Sequence, residues 1–332
     1  MEASETRLNT PSLESVRSLV QEDWANVNRV IAQRLGSDVA LVNQVAHYII
    51  HSGGKRLRPL TVLLAARSCG YQQTKHIPSA AIIEFIHTAT LLHDDVVDGS
   101  GLRRGQKTAN AAFGNQASVL VGDFLYSRAF QMMVEIGDIE IFDTLANATN
   151  TIAEGEVLQL MNSNNPDITE SDYLEVIYRK TAKLFEAGIR CGAILAGCDD
   201  ETKQQLAEYG SHLGLAFQLT DDALDYDATT EELGKNIGDD LTEGKATLPL
   251  IYAMNQGSAA EKHMIREAIE TGGIQNLTSI QLSIATSGGL RYTEERARIE
   301  IQSAIKKLEI LPKSPYKDGL TSLANFAANR RF

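Results

Sequence analysis

The chain has 332 residues, of which 43% are hydrophobic and 22% are charged, the composition of an ordinary folded protein. Its formal net charge of -12 argues against nucleic acid as a partner, because nucleic-acid binders need a basic surface to displace counterions from phosphates. Three cysteines, Cys69, Cys191 and Cys198, have neither zinc-site spacing nor the even count of a disulfide framework. No apolar stretch is long enough for a transmembrane segment or a signal peptide, so a cytoplasmic location is expected.

Apolar residues recur at spacings of three and four residues, beginning with Leu13, Val16, Leu19 and Val20. This period is typical of amphipathic helices, and no linker rich in Pro, Gly or Ser interrupts it. We therefore predict that residues 1–332 form a single all-α domain, a bundle of long helices around a central cavity. After this N-terminal stretch, helices are predicted at about 39–51, 58–69, 78–98, 115–136, 138–163, 170–197, 201–227, 246–255, 260–271, 293–308 and 316–330.

Two apolar helical stretches each lead into the same acidic pattern, D-D-x-x-D. On a helix the first and last aspartates of this pattern share a face, so their carboxylates converge. A group of negative charges at a helix C-terminus opposes the macrodipole, and oxygen ligands without His or Cys partners favour Mg²⁺. One such motif could equally be a solvated acidic helix end, but the second copy favours a shared site. The six carboxylates belong to Asp94, Asp95, Asp98, Asp221, Asp222 and Asp225.

Basic residues supply a second set of candidates. The turn GGKRLRP places Lys55, Arg56 and Arg58 on a glycine-led entry to a helix, where backbone donors and side chains can bind a phosphate. Arg103 and Arg104 closely follow the first acidic motif, and the planar guanidinium suits bidentate phosphate contact. Four further candidates, each more often an ordinary surface residue, are Lys180, Thr181, Lys235 and Lys245.

Carboxylates for Mg²⁺ beside two basic sets indicate two diphosphate substrates. The chain lacks the G-x-x-x-x-G-K-[ST] loop of a nucleoside triphosphatase. It also shows no Ser, Cys and His arrangement of a nucleophilic enzyme, so the diphosphate is expected to be a leaving group.

Over nearly its whole length the chain resembles the trans-type polyprenyl diphosphate synthase family. The resemblance rests on GGKRLRP, EFIHTATLLHDDVVDGSGLRRG, ANAAFGNQASVLVGDFLYSRAFQMM, AEGEVLQL, RKTAKLFEA, GLAFQLTDDALDY and GKNIGDDLTEGKATLPL. It implies a homodimeric, Mg²⁺-dependent prenyltransferase. Such an enzyme elongates an allylic diphosphate, here farnesyl diphosphate, with isopentenyl diphosphate to a long chain for a quinone side chain.

The resemblance also implies roles for individual residues. The six aspartates would hold the Mg²⁺ ions that bridge the allylic diphosphate, and Asp94, Asp95, Asp98, Asp221, Asp222 and Lys180 would form the catalytic set. Isopentenyl diphosphate would be bound by Lys55, Arg58, His87 and Arg104. The allylic substrate would be bound by Arg103, Lys180, Thr181, Gln218 and Lys235. Of these, His87 has no support from the residues alone, since a histidine in an apolar helix is more often part of the core.

Product length is expected to depend on how far the growing tail can run between helices. Ala89 lies five residues before Asp94, or roughly 7 to 8 Å along a helix at about 1.5 Å per residue. Its small side chain leaves the path open, and Met132 or Met133 is a candidate for the cavity floor.

Two other functions remain open at this point. A class I terpene cyclase also ionises a diphosphate over a D-D-x-x-D helix, but it needs no second diphosphate site, and its second metal motif typically mixes Asn, Ser and Glu. A non-catalytic partner subunit of a prenyl synthase would be marked by missing motif residues, and none is missing here.

Overall fold

A computed structural model describes residues 12–51, 53–103, 105–227 and 238–329 of the chain. Arg104 and Lys235, both predicted to bind substrate, lie outside these ranges. The described residues are almost entirely helical, and the all-α prediction is confirmed. The helices are α1 (Leu13–Ser18), α2 (Gln21–Arg34), α3 (Ala40–His51), α4 (Leu57–Ser68), α5 (His76–Val97), α6 (Ala109–Phe113), α7 (Asn115–Ile136), α8 (Ile139–Asn162), α9 (Glu170–Ile177), α10 (Lys183–Leu195), α11 (Asp200–Asp227), α12 (Asp239–Thr242), α13 (Leu248–Gln256), α14 (Ala259–Thr271), α15 (Leu277–Ser287), α16 (Gly289–Lys307) and α17 (Pro315–Asn329).

Several features differ from the sequence-based prediction, among them the short helices α6 and α12. The helix predicted at 170–197 is interrupted by a π-helical turn at Tyr178–Ala182. An antiparallel ribbon pairs β1 (Leu102–Arg103) with β2 (Gln106–Lys107) just after the first acidic motif. The helix Leu277–Ser287 was not predicted at all. A π turn adds one residue without interrupting the apolar pattern, so periodicity alone cannot distinguish it from a continuous α-helix.

The buried side chains form two clusters. The larger one is built on α4, α5, α7 and α10, and the smaller one lies between the end of α11 and helices α13 to α15. Helix α11 contributes to both, with Tyr209 and Leu213 in the larger cluster and Leu219 and Tyr226 in the smaller. The second acidic motif lies between Leu219 and Tyr226, in the part of α11 that packs into the smaller cluster.

Glycines allow the central helices to approach closely. A Cβ atom at Gly192 of α10 would lie 2.8 Å from the backbone nitrogen of Ala66 in α4, and one at Gly214 of α11 would lie 2.4 Å from Ala182 Cα. Helix α11 is therefore held directly against the π turn.

None of the described helices is both long enough and apolar enough to span a membrane.

Candidate active site

The π turn lies between the two acidic motifs and contacts the helix of each motif through a different residue. Lys180 Nζ is 3.7 Å from Asp94 Oδ2 and donates a 2.7 Å hydrogen bond to Glu156 Oε2 on α8. The next residue, Thr181, donates through Oγ1 to Gln218 Oε1 at 2.9 Å on α11. One helical turn therefore contacts the helix of the first motif through Lys180 and the helix of the second through Thr181.

A second lysine is held in the same way. Lys245 Nζ lies 3.1 Å from Asp98 Oδ2 and also contacts Glu243. When its side-chain oxygen faces the two ammonium groups, Gln159 accepts hydrogen bonds from Lys180 at 3.2 Å and from Lys245 at 3.3 Å. The two cations are thus joined through one amide, next to the carboxylates of the first motif.

In the second motif, Asp222 is buried and both of its carboxylate oxygens accept hydrogen bonds. Its Oδ2 accepts a 2.6 Å hydrogen bond from the Tyr173 hydroxyl, and its Oδ1 accepts one of 2.7 Å from Gln218 Nε2. Burial and the nearby Asp240 raise the pKa of Asp222 to about 8, although both hydrogen bonds oppose this shift. The carboxylate is oriented by its neighbours, but its negative charge lacks a sufficient counter-charge.

In the first motif, Asp95 is wholly buried. Arg103, at the start of the ribbon, donates to Asp95 Oδ1 from Nε at 3.0 Å and from Nη2 at 2.7 Å. Asn110 donates to the Asp95 backbone carbonyl at 3.0 Å. The ribbon and α6 therefore fix the end of α5, and the ribbon places the Arg103 guanidinium beside the first motif.

These carboxylates fit a divalent cation. The donors are oxygens throughout, and the buried Oδ2 of Asp95 accepts no hydrogen bond from the described residues. Burial raises the pKa of Asp94 despite the nearby Lys180, and burial with repulsion from Asp94 raises the pKa of Glu156 to about 7. Within the described ranges, no three Asp, Glu, His or Cys side chains converge into a complete metal cluster. Such a set suits an ion that also takes oxygens from a substrate diphosphate.

The basic turn before α4 faces a different part of α5. Arg58 Nη1 lies 3.1 Å from His87 Nε2, and its guanidinium stacks over the Phe185 ring with its carbon 4.5 Å from the centroid. Lys55 Nζ lies 5.1 Å from the centre of the Phe326 ring. His87 is two helical turns before Asp94, or about 10 Å at 1.5 Å per residue, and on the same face of α5.

A cavity of about 120 Å³ opens beside the π turn. Lys180, Thr181, Gln218, Asp222 and Lys245 form its polar wall. Apolar side chains of α9 close the opposite side. It brings the two lysines that pair with the first acidic motif together with an aspartate of the second.

The residues alone did not single out Glu156, Gln159 or Tyr173. The first two lie in AEGEVLQL and are three positions apart, so a helical wheel puts them on one face. This spacing could have identified Glu156 and Gln159 as a pair of polar residues that face the same side of a helix. Tyr173 lies 49 positions from Asp222 in the sequence, and no local pattern connects the two residues.

Known proteins share this architecture over nearly the whole chain. The family model described as "Polyprenyl synthetase" matches residues 39–282. Octaprenyl diphosphate synthase of Escherichia coli (strain K12) is 54% identical over 96% of this chain and 99% of that protein. The all-trans-nonaprenyl-diphosphate synthase (geranyl-diphosphate specific) of Rhodobacter capsulatus is 47% identical over 94% of this chain and 96% of that protein.

Solved structures give the same result. The polyprenyl synthase of Caulobacter crescentus CB15, complexed with calcium and isoprenyl diphosphate, has a TM-score of 0.94 at 45% identity and covers 98% of this chain and 99% of its own. A decaprenyl diphosphate synthase from Rhodobacter capsulatus has a TM-score of 0.91 at 42% identity, covering 97% of this chain and 100% of its own. As the sequence resemblance predicted, the chain belongs to the polyprenyl synthetase family of prenyltransferases.

Proposed function

We propose that this chain condenses farnesyl diphosphate with successive isopentenyl diphosphate units to octaprenyl diphosphate, the precursor of a quinone side chain, with Mg²⁺ as the metal. The observation that carries the proposal is the position of Lys180, which contacts Asp94 and Glu156. Its neighbour Thr181 donates to Gln218, which in turn donates to Asp222. Sequence identity to an octaprenyl diphosphate synthase supports the product length.

The allylic diphosphate is proposed to bind between the two acidic motifs. Lys180 and Lys245 are half-buried cations with several donors each, and Gln159 accepts from both of them. Bound Mg²⁺ would add positive charge that stabilises the leaving diphosphate. The remaining proposed contacts to this substrate are Arg103, Thr181, Gln218 and Lys235.

Isopentenyl diphosphate is proposed to bind at the basic turn, through Lys55, Arg58, His87 and Arg104. Arg58 is held against the Phe185 ring, so its guanidinium needs little reorganisation to meet a diphosphate. The common face of His87 and Asp94 directs the second substrate along α5 toward the first.

The reaction that this arrangement supports begins with loss of diphosphate from the allylic carbon. The alkene of isopentenyl diphosphate attacks that carbon, a new carbon–carbon bond forms, and a proton then leaves to the departed diphosphate. The chain's cations stabilise the negative charge that grows on the leaving group. The buried helix faces exclude water, which would otherwise capture the allylic cation.

We also propose that residues 1–332 form one domain and that two copies associate. Helix α11 is shared by both buried clusters, which supports one domain. Large apolar side chains are exposed on α7 and α8, among them Leu120 at 65%, Val134 at 68% and Ile139 at 81%, which supports burial against a second copy. The proposed location is the cytoplasm, since isopentenyl diphosphate is a small, charged, water-soluble compound.

The site is tested by substituting adjacent residues of the π turn. Lys180→Ala should lower kcat by about 10²- to 10³-fold, the usual loss when a group that stabilises developing charge is removed. Arg179→Ala is the matched control, because Arg179 pairs instead with Glu154 and Glu175 at the surface, and its kcat should stay within about twofold. Equal activity of the two variants would contradict the assignment of Lys180.

A further inference from the structure

The basic turn contains a residue whose backbone conformation is unfavourable. Arg56, between Lys55 and Arg58, has φ 45° and ψ 48°, in the left-handed region that residues with a side chain rarely adopt. Gly53 also has a positive φ of 87°, which costs glycine little. An arginine keeps such a conformation only where its surroundings hold it.

The contacts of the Arg56 side chain stabilise this backbone conformation. Its Nη1 donates to Asn28 Oδ1 on α2 at 2.5 Å, and its Nη2 donates to the Ile50 carbonyl on α3 at 3.1 Å. Its Nε lies 3.5 Å from Glu84 Oε1 on α5, and the Glu84 side chain is only 10% exposed. One guanidinium thus ties the turn to three helices.

A second arginine holds the turn from the other side. Arg17 of α1 donates from Nη2 to the Lys55 carbonyl and stacks on Trp24, with its guanidinium carbon 5.0 Å from the ring centre. The backbone on both sides of the peptide bond between Lys55 and Arg56 is therefore fixed by groups that lie outside the proposed diphosphate contacts.

We propose that Arg56 is a positioning residue for isopentenyl diphosphate. Its three contacts keep the turn in the left-handed conformation that presents Lys55 and Arg58 to the substrate, while its own guanidinium faces Asn28, Ile50 and Glu84. The inference rests on the proposed function of this turn. It predicts that loss of Arg56 weakens the binding of isopentenyl diphosphate but not that of farnesyl diphosphate.

The test compares variants at both ends of a contact. Arg56→Gly tolerates the positive φ but lacks the three contacts, so it should raise both the KM and the calorimetric Kd for isopentenyl diphosphate by about tenfold through misplacement of the two cations. Asn28→Ala loses one hydrogen bond and should raise them by about threefold. In both variants the KM for farnesyl diphosphate should stay within about twofold of the wild-type value.

The matched control is Arg34→Ala, because Arg34 lies on the same helix as Asn28 and pairs with Glu135 of α7. It should leave both KM values unchanged. A lower Tm with unchanged KM values in Asn28→Ala and Arg56→Gly, or an equal rise for both substrates, would overturn the inference. If Arg56→Gly does not fold, Asn28→Ala alone decides. Failure of the proposed function would look different, since the wild type itself would neither bind nor condense isopentenyl diphosphate.

Discussion

Tyr173 is a residue outside the predicted contacts that orients a carboxylate of the proposed metal site. Its hydroxyl donates to Asp222, and burial together with that carboxylate raises the pKa of Tyr173 well above its usual range, so the hydroxyl remains a donor. Partners that orient a metal-binding carboxylate usually affect metal affinity by about 10- to 100-fold.

Tyr173→Phe should therefore raise the Mg²⁺ concentration for half-maximal activity by about tenfold. Tyr209→Phe is the matched control, because this buried tyrosine on α11 also donates one hydrogen bond, to the Leu320 carbonyl at 2.8 Å. Both variants should lose roughly 1 kcal/mol of stability from the lost hydrogen bond. If the two variants need the same Mg²⁺ concentration for half-maximal activity, this role for Tyr173 is contradicted.

Sequence reasoning identified the chemistry of individual residues better than their partners. The repeated D-D-x-x-D motif singled out six aspartates, because its spacing puts the first and last aspartates of each copy on one helix face. Lys180 and Lys245 were candidates only within a larger basic set. Their link through Gln159 depends on contacts between α8, the π turn and the loop after α12, which no local pattern encodes.

At the scale of elements, Gly155 of α8 controls where the π turn lies. A Cβ atom at this position would be 2.7 Å from Arg179 Cβ and 3.0 Å from the Lys180 backbone nitrogen. Displacing Lys180 by a fraction of an ångström to 1 Å would misplace its ammonium group relative to the diphosphate.

Gly155→Ala should lower kcat by about 10²-fold while the protein stays folded. The control is Gly210→Ala, which creates a similar clash 2.7 Å from Glu186 Cα. Gly210 lies roughly 16 Å along α11 from Asp221 at about 1.5 Å per residue, so this variant should lower Tm with kcat kept within about threefold. A kcat for Gly155→Ala equal to that of the control would argue against the role of the turn.

Helix α5 offers a test of chain-length control. Ala89 is fully buried, one turn and a half before Asp94. A tyrosine there should block the path of the tail, so Ala89→Tyr is expected to give products shorter than octaprenyl diphosphate, sized by mass spectrometry. Ala112→Tyr, at an exposed position of α6, should leave the product unchanged. An unchanged product from a folded Ala89→Tyr enzyme would contradict this path.

Helices were predicted from the sequence where the apolar period extends over many residues. The π turn that interrupts the helix predicted at 170–197 was not predicted. The cause is physical. The π turn packs against Gly155 of α8 and Gly214 of α11, and a contact between distant helices leaves no mark on the local period. The helix Leu277–Ser287 was missed for a related reason, since its polar face is rich in Ser and Thr, which are weak helix formers.

At the scale of the whole molecule, a buried ionic cluster links α2, α4 and α5. Arg67 donates to Asp23 from two nitrogens at 2.7 Å, and His76 Nε2 lies 3.0 Å from Asp23 Oδ2. Burial lowers the pKa of His76 despite Asp23. Burial opposes the shift at Asp23, but hydrogen bonds from Arg67 and His76 outweigh it and lower that pKa as well.

Both shifts act in the same direction on stability. The unfolded chain takes up protons at a higher pH than the folded one, so the free energy of unfolding should fall below about pH 6.5 through His76 and again below about pH 4 through Asp23. Tm should drop by up to about 2 °C between pH 7.5 and pH 5.5 through this histidine. His76→Asn should flatten this slope. Identical slopes in the two proteins would contradict the role of His76.

The most direct test of the account is the reaction itself. Purified protein is incubated with farnesyl diphosphate, excess isopentenyl diphosphate and Mg²⁺, with a chelator control, and the products are sized by mass spectrometry. We expect a metal-dependent ladder of products that ends at octaprenyl diphosphate. Release of diphosphate without any chain elongation would contradict it.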